Sequence, residues 1–226
     1  MNKNEILTGP ALLTYDNPKK IIFMLHGFGD SAENFIHIAN FLDQPELEAN
    51  YFALNAPSII FEDSLGRQWF DLYPNGIYIA NAGINEIKII QSDILTANKL
   101  LENTVNQIMS SYKLTYKDCL ILGFSQGAMM TFEFGNYFKN SLGGLAIMSG
   151  RIISEEDITN QSLLKTPIFI SHGDKDEVLP INMFENSCNF LKKNKLIYES
   201  HKLYGDTHTI SPKAIKLLQK FIKKNL

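Results

Sequence analysis

Short apolar runs alternate along this chain with longer stretches in which apolar residues recur every three or four positions. The strand-length runs are Ile21–His26, Tyr51–Asn55, Cys119–Gly123, Gly144–Met148, Pro167–Ser171 and Leu196–Leu203. Most are apolar throughout rather than alternating with polar residues, as expected of strands covered on both faces. Between Glu86 and Ser111, Ile87, Ile90, Ile94, Ala97, Leu101, Val105 and Ile108 fall in steps of three and four, which predicts a long amphipathic helix. A terminal helix carries Ala214, Leu217, Leu218, Phe221 and Ile222, opened by Ser211 as N-cap and Pro212 at the first helical position. Another begins near residue 30, with Asp30 placed to cap and Glu33 three residues on. Strands alternating with helices predict an α/β fold: one domain over residues 1–226, with a central, mostly parallel sheet flanked by helices.

One segment breaks the rhythm. From Ile59 to Gly83 the chain holds Trp69, Phe70, Tyr73 and Tyr78, with Pro74 and Gly76 between them. Loops of that length are usually functional, so a lid-like insertion is expected around 59–83, with a pair of short extra strands as the alternative. Strand-like alternation over Ile77–Ala80 would turn Ile77 and Ile79 to one face. Those two isoleucines, with Trp69, are the candidate substrate-binding residues.

Composition narrows the class. A chain of 226 residues that is 45% hydrophobic and 20% charged is neither disordered nor a disulfide scaffold. At that length roughly 70% of the unfolded surface is buried, so the core needs no metal or crosslink. Twenty-one basic against 24 acidic residues give a net charge of −3, which disfavours nucleic acid as a partner. Cys119 and Cys188 lie far apart and read as free, buried thiols of a reducing compartment. Met1 to Lys20 has no signal-peptide pattern, and no apolar run approaches the ~18 residues of a membrane span. A soluble, cytoplasmic protein is expected.

The sharpest chemical signal is Gly123-Phe124-Ser125-Gln126-Gly127, which follows a strand and opens a helical segment. This is G-x-S-x-G in the context it requires: strand, tight turn, helix. Side chains at the two glycine positions would collide with neighbouring backbone. The serine would stand at a helix N-terminus, where backbone N–H groups and the dipole favour an oxyanion.

A serine hydroxyl needs a base, and the base needs a carboxylate, in the chain order Ser, acid, His. His172, His201 and His208 lie downstream. His208 falls in the loop before the last helix and is the candidate base; His201 sits inside a strand; His172 ends one and is expected to brace the acid loop. In the loop from Gly173 to Pro180, Asp174, Asp176 and Glu177 compete for the acid. Asp174 can satisfy a turn and Glu177 reads as solvated, so Asp176, deeper in the loop, is preferred. The glycine-rich Leu25-His26-Gly27-Phe28-Gly29-Asp30 after the first strong strand nominates the Phe28 amide, with that of Gln126, as oxyanion donors. The histidines show no metal-ligand spacing and no phosphate-loop or dinucleotide motif is present, so neither metal nor cofactor is expected.

With these residues in place, the chain resembles the carboxylesterase / acyl-protein thioesterase / lysophospholipase branch of the α/β-hydrolase superfamily over nearly its whole length. The likeness rests on the segments 25–30, Trp69-Phe70-Asp71, 123–128, 172–180 and 205–210. It implies Ser125, Asp176 and His208 as triad, Phe28 and Gln126 as oxyanion donors, and an acyl-binding lid near Gly76–Ala80. Ala128 stands where many relatives have a second glycine. The function expected is hydrolysis of esters or thioesters with an apolar acyl group through an acyl-serine. Substrates would be a small-molecule ester, a lysophospholipid or an acylated protein, and a homodimer is the candidate assembly. The rival readings are a non-catalytic binding protein of the same fold, or a serine hydrolase of another bond type.

Overall fold

The computed structural model describes residues 5–60, 66–79, 83–153 and 158–226. In chain order the elements are β1 (Ala11–Leu12), β2 (Lys20–Leu25), α1 (Ala32–Phe35), α2 (Ala39–Leu42), β3 (Ala49–Leu54), β4 (Ser58–Ile59), β5 (Arg67–Gln68), α3 (Ile84–Ser111), β6 (Cys119–Phe124), α4 (Gln126–Tyr137), β7 (Gly144–Met148), β8 (Ile168–Gly173), α5 (Ile181–Lys193), β9 (Tyr198–Leu203) and α6 (Pro212–Asn225). Seven strands form one sheet in the order β1-β3-β2-β6-β7-β8-β9. Every pairing in it is parallel except that of the two-residue edge strand β1 with β3.

The continuous apolar runs are explained by burial on both faces. Along β2, Ile21, Phe23 and Leu25 enter the core beneath α3 and α4, while Ile22 and Met24 enter the core beneath α1, α2 and α6. Strand β6 divides the same way, with Cys119 and Ile121 on one side and Leu120 and Leu122 on the other. Among the described residues no helix is long and apolar enough to cross a membrane.

Sheet order places the site. From β2 the chain turns one way to β3, then crosses back to β6 on the other side. Such a reversal opens a crevice at the carboxyl ends of the two central strands, where ligands bind in open α/β sheets. The loop after β2 carries residues 26–30, and the turn after β6 carries Ser125.

Two local expectations are corrected, and the segment after β3 takes the two-strand form given above as the alternative. Ser31, not Asp30, caps α1: its Oγ accepts from Asn34 N, while Asp30 Oδ1 takes the Asn34 side-chain amide at 3.1 Å. Cys188 is free but only half buried, whereas Cys119 is buried. The segment after β3 contains a short antiparallel pair, β4 with β5, which docks on the loop after β2 through Gly29 N to Arg67 O (2.9 Å) and Arg67 N to Asp30 O (3.0 Å).

Candidate active site

Ser125 sits between β6 and α4 with φ 55° and ψ −117°, a left-handed conformation unusual for a side chain larger than glycine's and costing on the order of 1–3 kcal/mol. Its N–H donates to Met148 O (2.9 Å) at the end of β7, and its carbonyl accepts from Met129 N (3.1 Å) in the first turn of α4. The flanking glycines permit the crossing. A Cβ on Gly123 would lie 2.2 Å from Gly127 O, and one on Gly127 would lie 2.1 Å from Leu25 O.

His208 and Asp176 reach this serine from two later loops. Asp176 Oδ2 lies 2.7 Å from His208 Nδ1, and Ser125 Oγ lies 2.9 Å from His208 Nε2. An ionised carboxylate only accepts, so Nδ1 carries the proton and Nε2 offers its lone pair to the hydroxyl. The Asp176 side chain is wholly buried. Its Oδ1 accepts from Val178 N (2.9 Å) and Leu179 N (2.8 Å).

Buried His172 stands behind the acid, its Nε2 2.7 Å from Leu179 O and 3.3 Å from Asp176 Oδ2. Burial holds the His172 pKa below the usual histidine value, which keeps the ring neutral. Asp174 has a different task. Its Oδ1 accepts from Gly205 N (2.7 Å), and Lys175 N donates to Asp206 O (2.9 Å), lacing the acid loop to the loop that carries His208.

On the opposite side, His26 is fully buried. Its Nε2 accepts from Ala56 N (3.1 Å), so Nδ1 must donate to Gly27 O (2.7 Å), again a neutral ring with a pKa lowered by burial. Gln126 spans the crevice from below: Oε1 accepts from Trp69 N (2.9 Å), and Nε2 donates to Phe70 O (2.8 Å). Trp69 Nε1 donates to His26 O (2.9 Å). Among the described residues, neither the Phe28 amide nor the Gln126 amide has a hydrogen-bond acceptor, which leaves both N–H groups to a ligand.

Above Ser125 lies a cleft of about 270 Å³, walled by Leu72, Tyr78, Ile79, Met129, Leu179 and Met183 among others, with Phe28 and Arg151 on its lining. Ile79 belongs to the wall; Ile77 does not, and is 39% exposed. Alternation fails because Ile77 follows a 3-10 turn over Pro74–Gly76 in which Asn75 and Gly76 both have positive φ, and no strand forms. Ala80 lies outside the described residues.

Trp69 is also corrected. It is 1% exposed and does not line the cleft, because its indole is spent bracing the His26 carbonyl beneath the floor. The bracing roles of His26 and of the Gln126 side chain escaped the sequence reading. For Gln126 the signal was the co-occurrence of Trp-Phe-Asp with glutamine in the elbow, which two hydrogen bonds join.

Comparison with known proteins adds an independent line. A family model described as phospholipase/carboxylesterase matches residues 14–226. Acyl-protein thioesterase 1 of Kluyveromyces lactis is 26% identical over 219 residues, covering 92% of each chain. Carboxylesterase SOBER1 of Arabidopsis thaliana is 28% identical over 215 residues, covering 92% of this chain and 91% of that one. The crystal structure of SOBER1 superposes with a TM-score of 0.78 at 26% identity, over 91% of this chain and 98% of that one. The crystal structure of esterase PE8 shares the fold, with a TM-score of 0.84 at 24% identity over 98% of this chain and 100% of that one.

Proposed function

The chain belongs to the phospholipase/carboxylesterase family of α/β-hydrolases and is a serine ester or thioester hydrolase; on that premise we propose that Ser125, His208 and Asp176 perform the chemistry on substrates with an apolar acyl group. The observation that carries the reading is the unbroken chain from Asp176 Oδ2 through both His208 nitrogens to Ser125 Oγ at the floor of an apolar cleft.

The mechanism follows from that chain. As Ser125 Oγ attacks the carbonyl carbon, its proton passes to His208 Nε2, and the buried Asp176 carboxylate stabilises the imidazolium. The carbonyl π pair moves to oxygen, where the Phe28 and Gln126 amides and the N-terminus of α4 meet the negative charge. Collapse expels the alcohol or thiolate, which takes the proton from Nε2. Water then repeats the cycle on the acyl-serine, with His208 as base. The bracing of the floor by His26, Trp69 and Gln126 holds the oxyanion donors in place before substrate arrives, which is where preorganised dipoles contribute most.

Within the segment 59–83, Leu72, Tyr73, Tyr78 and Ile79 are read as the acyl-facing wall of a single hydrolase domain over residues 1–226. Leaving groups within reach of this chemistry are a simple alcohol, a lysophospholipid glycerol or a protein cysteine; the names of the relatives favour carboxylic esters and acylated proteins. A fluorophosphonate probe should label the protein but not its Ser125→Ala variant. Hydrolysis of 4-nitrophenyl esters from two to sixteen carbons, beside a palmitoyl-thioester peptide, then ranks the substrates. A wild-type protein that neither reacts with the probe nor turns over any of these esters would end the proposal.

A further inference from the structure

We propose that Arg151 selects substrates bearing a carboxylate or phosphate group, so that the cleft recognises an anionic ester or thioester rather than a purely apolar one; this rests on the hydrolase reading of the same cleft. Arg151 lines the cleft with Ser125, Gln126 and His208, and among the described residues no acidic side chain shares that lining. Among the described residues it makes no ion pair and no side-chain hydrogen bond, although it is half buried. Among the described residues the fold therefore gains no polar contact from this guanidinium. An apolar side chain would serve a purely apolar cleft better, because a cation there is partly desolvated without compensation.

Its backbone is held on both sides. Ser149, with φ 48°, donates its N–H to Ser171 O (2.9 Å). Gly150 packs so closely on the nucleophile that an added Cβ would lie 2.9 Å from Ser125 O and 2.6 Å from Ala128 Cβ. Ile152 N is held by Ser187 Oγ (3.0 Å). Residue 151 thus leaves the backbone between fixed points, one step from the residue that touches Ser125. A planar guanidinium so placed offers a donor fork that matches carboxylate or phosphate geometry. The whole chain carries a net charge of −3, so its overall field does not attract anions and this local cation must do so.

The anion could sit on the acyl chain or on the leaving group, and two matched pairs of eight-carbon substrates separate these. The first is 4-nitrophenyl octanoate against the mono-4-nitrophenyl ester of octanedioic acid. The second is monooctanoylglycerol against its phosphate ester. The readout is the ratio of kcat/KM for the anionic member to that for the neutral one. In at least one pair Arg151→Met should lower this ratio by about 10- to 100-fold, chiefly through KM, and Arg151→Lys should restore part of it. The wild-type ratio in that pair should also fall as salt rises from roughly 0.05 to 0.5 M, a measurement that needs no variant. Ratios that change less than twofold in both pairs, with neutral esters still hydrolysed, overturn the assignment of Arg151 alone. No turnover of any of the four substrates by wild type, with Ser125 unlabelled by the fluorophosphonate, overturns the hydrolase reading and this one together.

Discussion

The floor of the cleft and its wall are built on opposite principles. On the floor, His26, Trp69, Gln126 and Asp176 are all 7% exposed or less, and their polar side-chain atoms are hydrogen-bonded. On the wall, Met129 and Leu179 belong to the core, but the outer part is loose: Tyr73 and Val178 are more than half exposed and Phe28 is 38% exposed. Tyr73 and Tyr78 lean on each other, with ring centroids 5.3 Å apart, rather than on the core. Chemistry needs atoms held to tenths of an ångström, because a donor misplaced relative to the developing charge stabilises nothing. Apolar recognition is non-directional and tolerates a looser surface. Substitutions on the floor should therefore change rate or stability, and those on the wall should change substrate preference.

The largest expected effect is that of Ser125→Ala, about 10⁶-fold in kcat, with the far-ultraviolet spectrum and unfolding midpoint near those of wild type. Activity within tenfold of wild type would break the mechanism. Next, Asp176→Asn should cost on the order of 10⁴-fold, since an amide in place of the carboxylate favours the wrong imidazole tautomer. Asp174→Asn keeps an oxygen that can accept from Gly205 N, so its loss should stay below about tenfold. The reverse order would mean that Asp174 holds His208.

Gln126→Ala tests the floor as structure. It strands Trp69 N–H and Phe70 C=O, both buried, and should destabilise the fold by about 2–5 kcal/mol in urea titration. A change below 0.5 kcal/mol, the size typical of surface sites, would show that the floor is no stiffer than the wall.

A gentler probe is pH. His26 and His172 both have pKa values held below 6.5 by burial, so the unfolded chain binds more protons than the native one once pH drops below about 6.5. Stability from this source is complete above that value and declines as pH falls. Each histidine contributes a slope of at most about 1.4 kcal/mol per pH unit, and His172→Gln should remove one share of it. An unchanged slope between pH 6.5 and 5 in that variant would show that His172 is not held neutral.

The smallest effect belongs to the wall. Ile79→Ala should weaken the preference for octanoate over butyrate esters by a few-fold, since one buried methylene contributes about 0.8 kcal/mol, close to fourfold. Ile77→Ala should leave that preference where it was. Equal responses would mean that both isoleucines, or neither, meet the acyl chain.

Much of this protein was legible without coordinates because the information is local. Burial on both faces of a parallel sheet writes itself as uninterrupted apolar runs, and helices as three-and-four spacing. The elbow is legible as a short motif: Gly123 is demanded by a local approach of 2.2 Å to Gly127 O, and Gly127 by one of 2.1 Å to Leu25 O on the neighbouring strand. The order of Ser125, Asp176 and His208 follows from the order of the strands whose ends carry them. Tertiary structure alone decided the contacts between distant loops. Nothing local shows that Gln126 reaches 57 positions back to Trp69, or that His26 holds Ala56, 30 residues on. The same is true of Trp69 pointing under the floor, of Ile79 facing the cleft while Ile77 does not, and of Arg151 standing beside the nucleophile with no ion pair among the described residues. Each depends on which loop lies across from which at the crevice between β2 and β6, and residue periodicity carries no record of that.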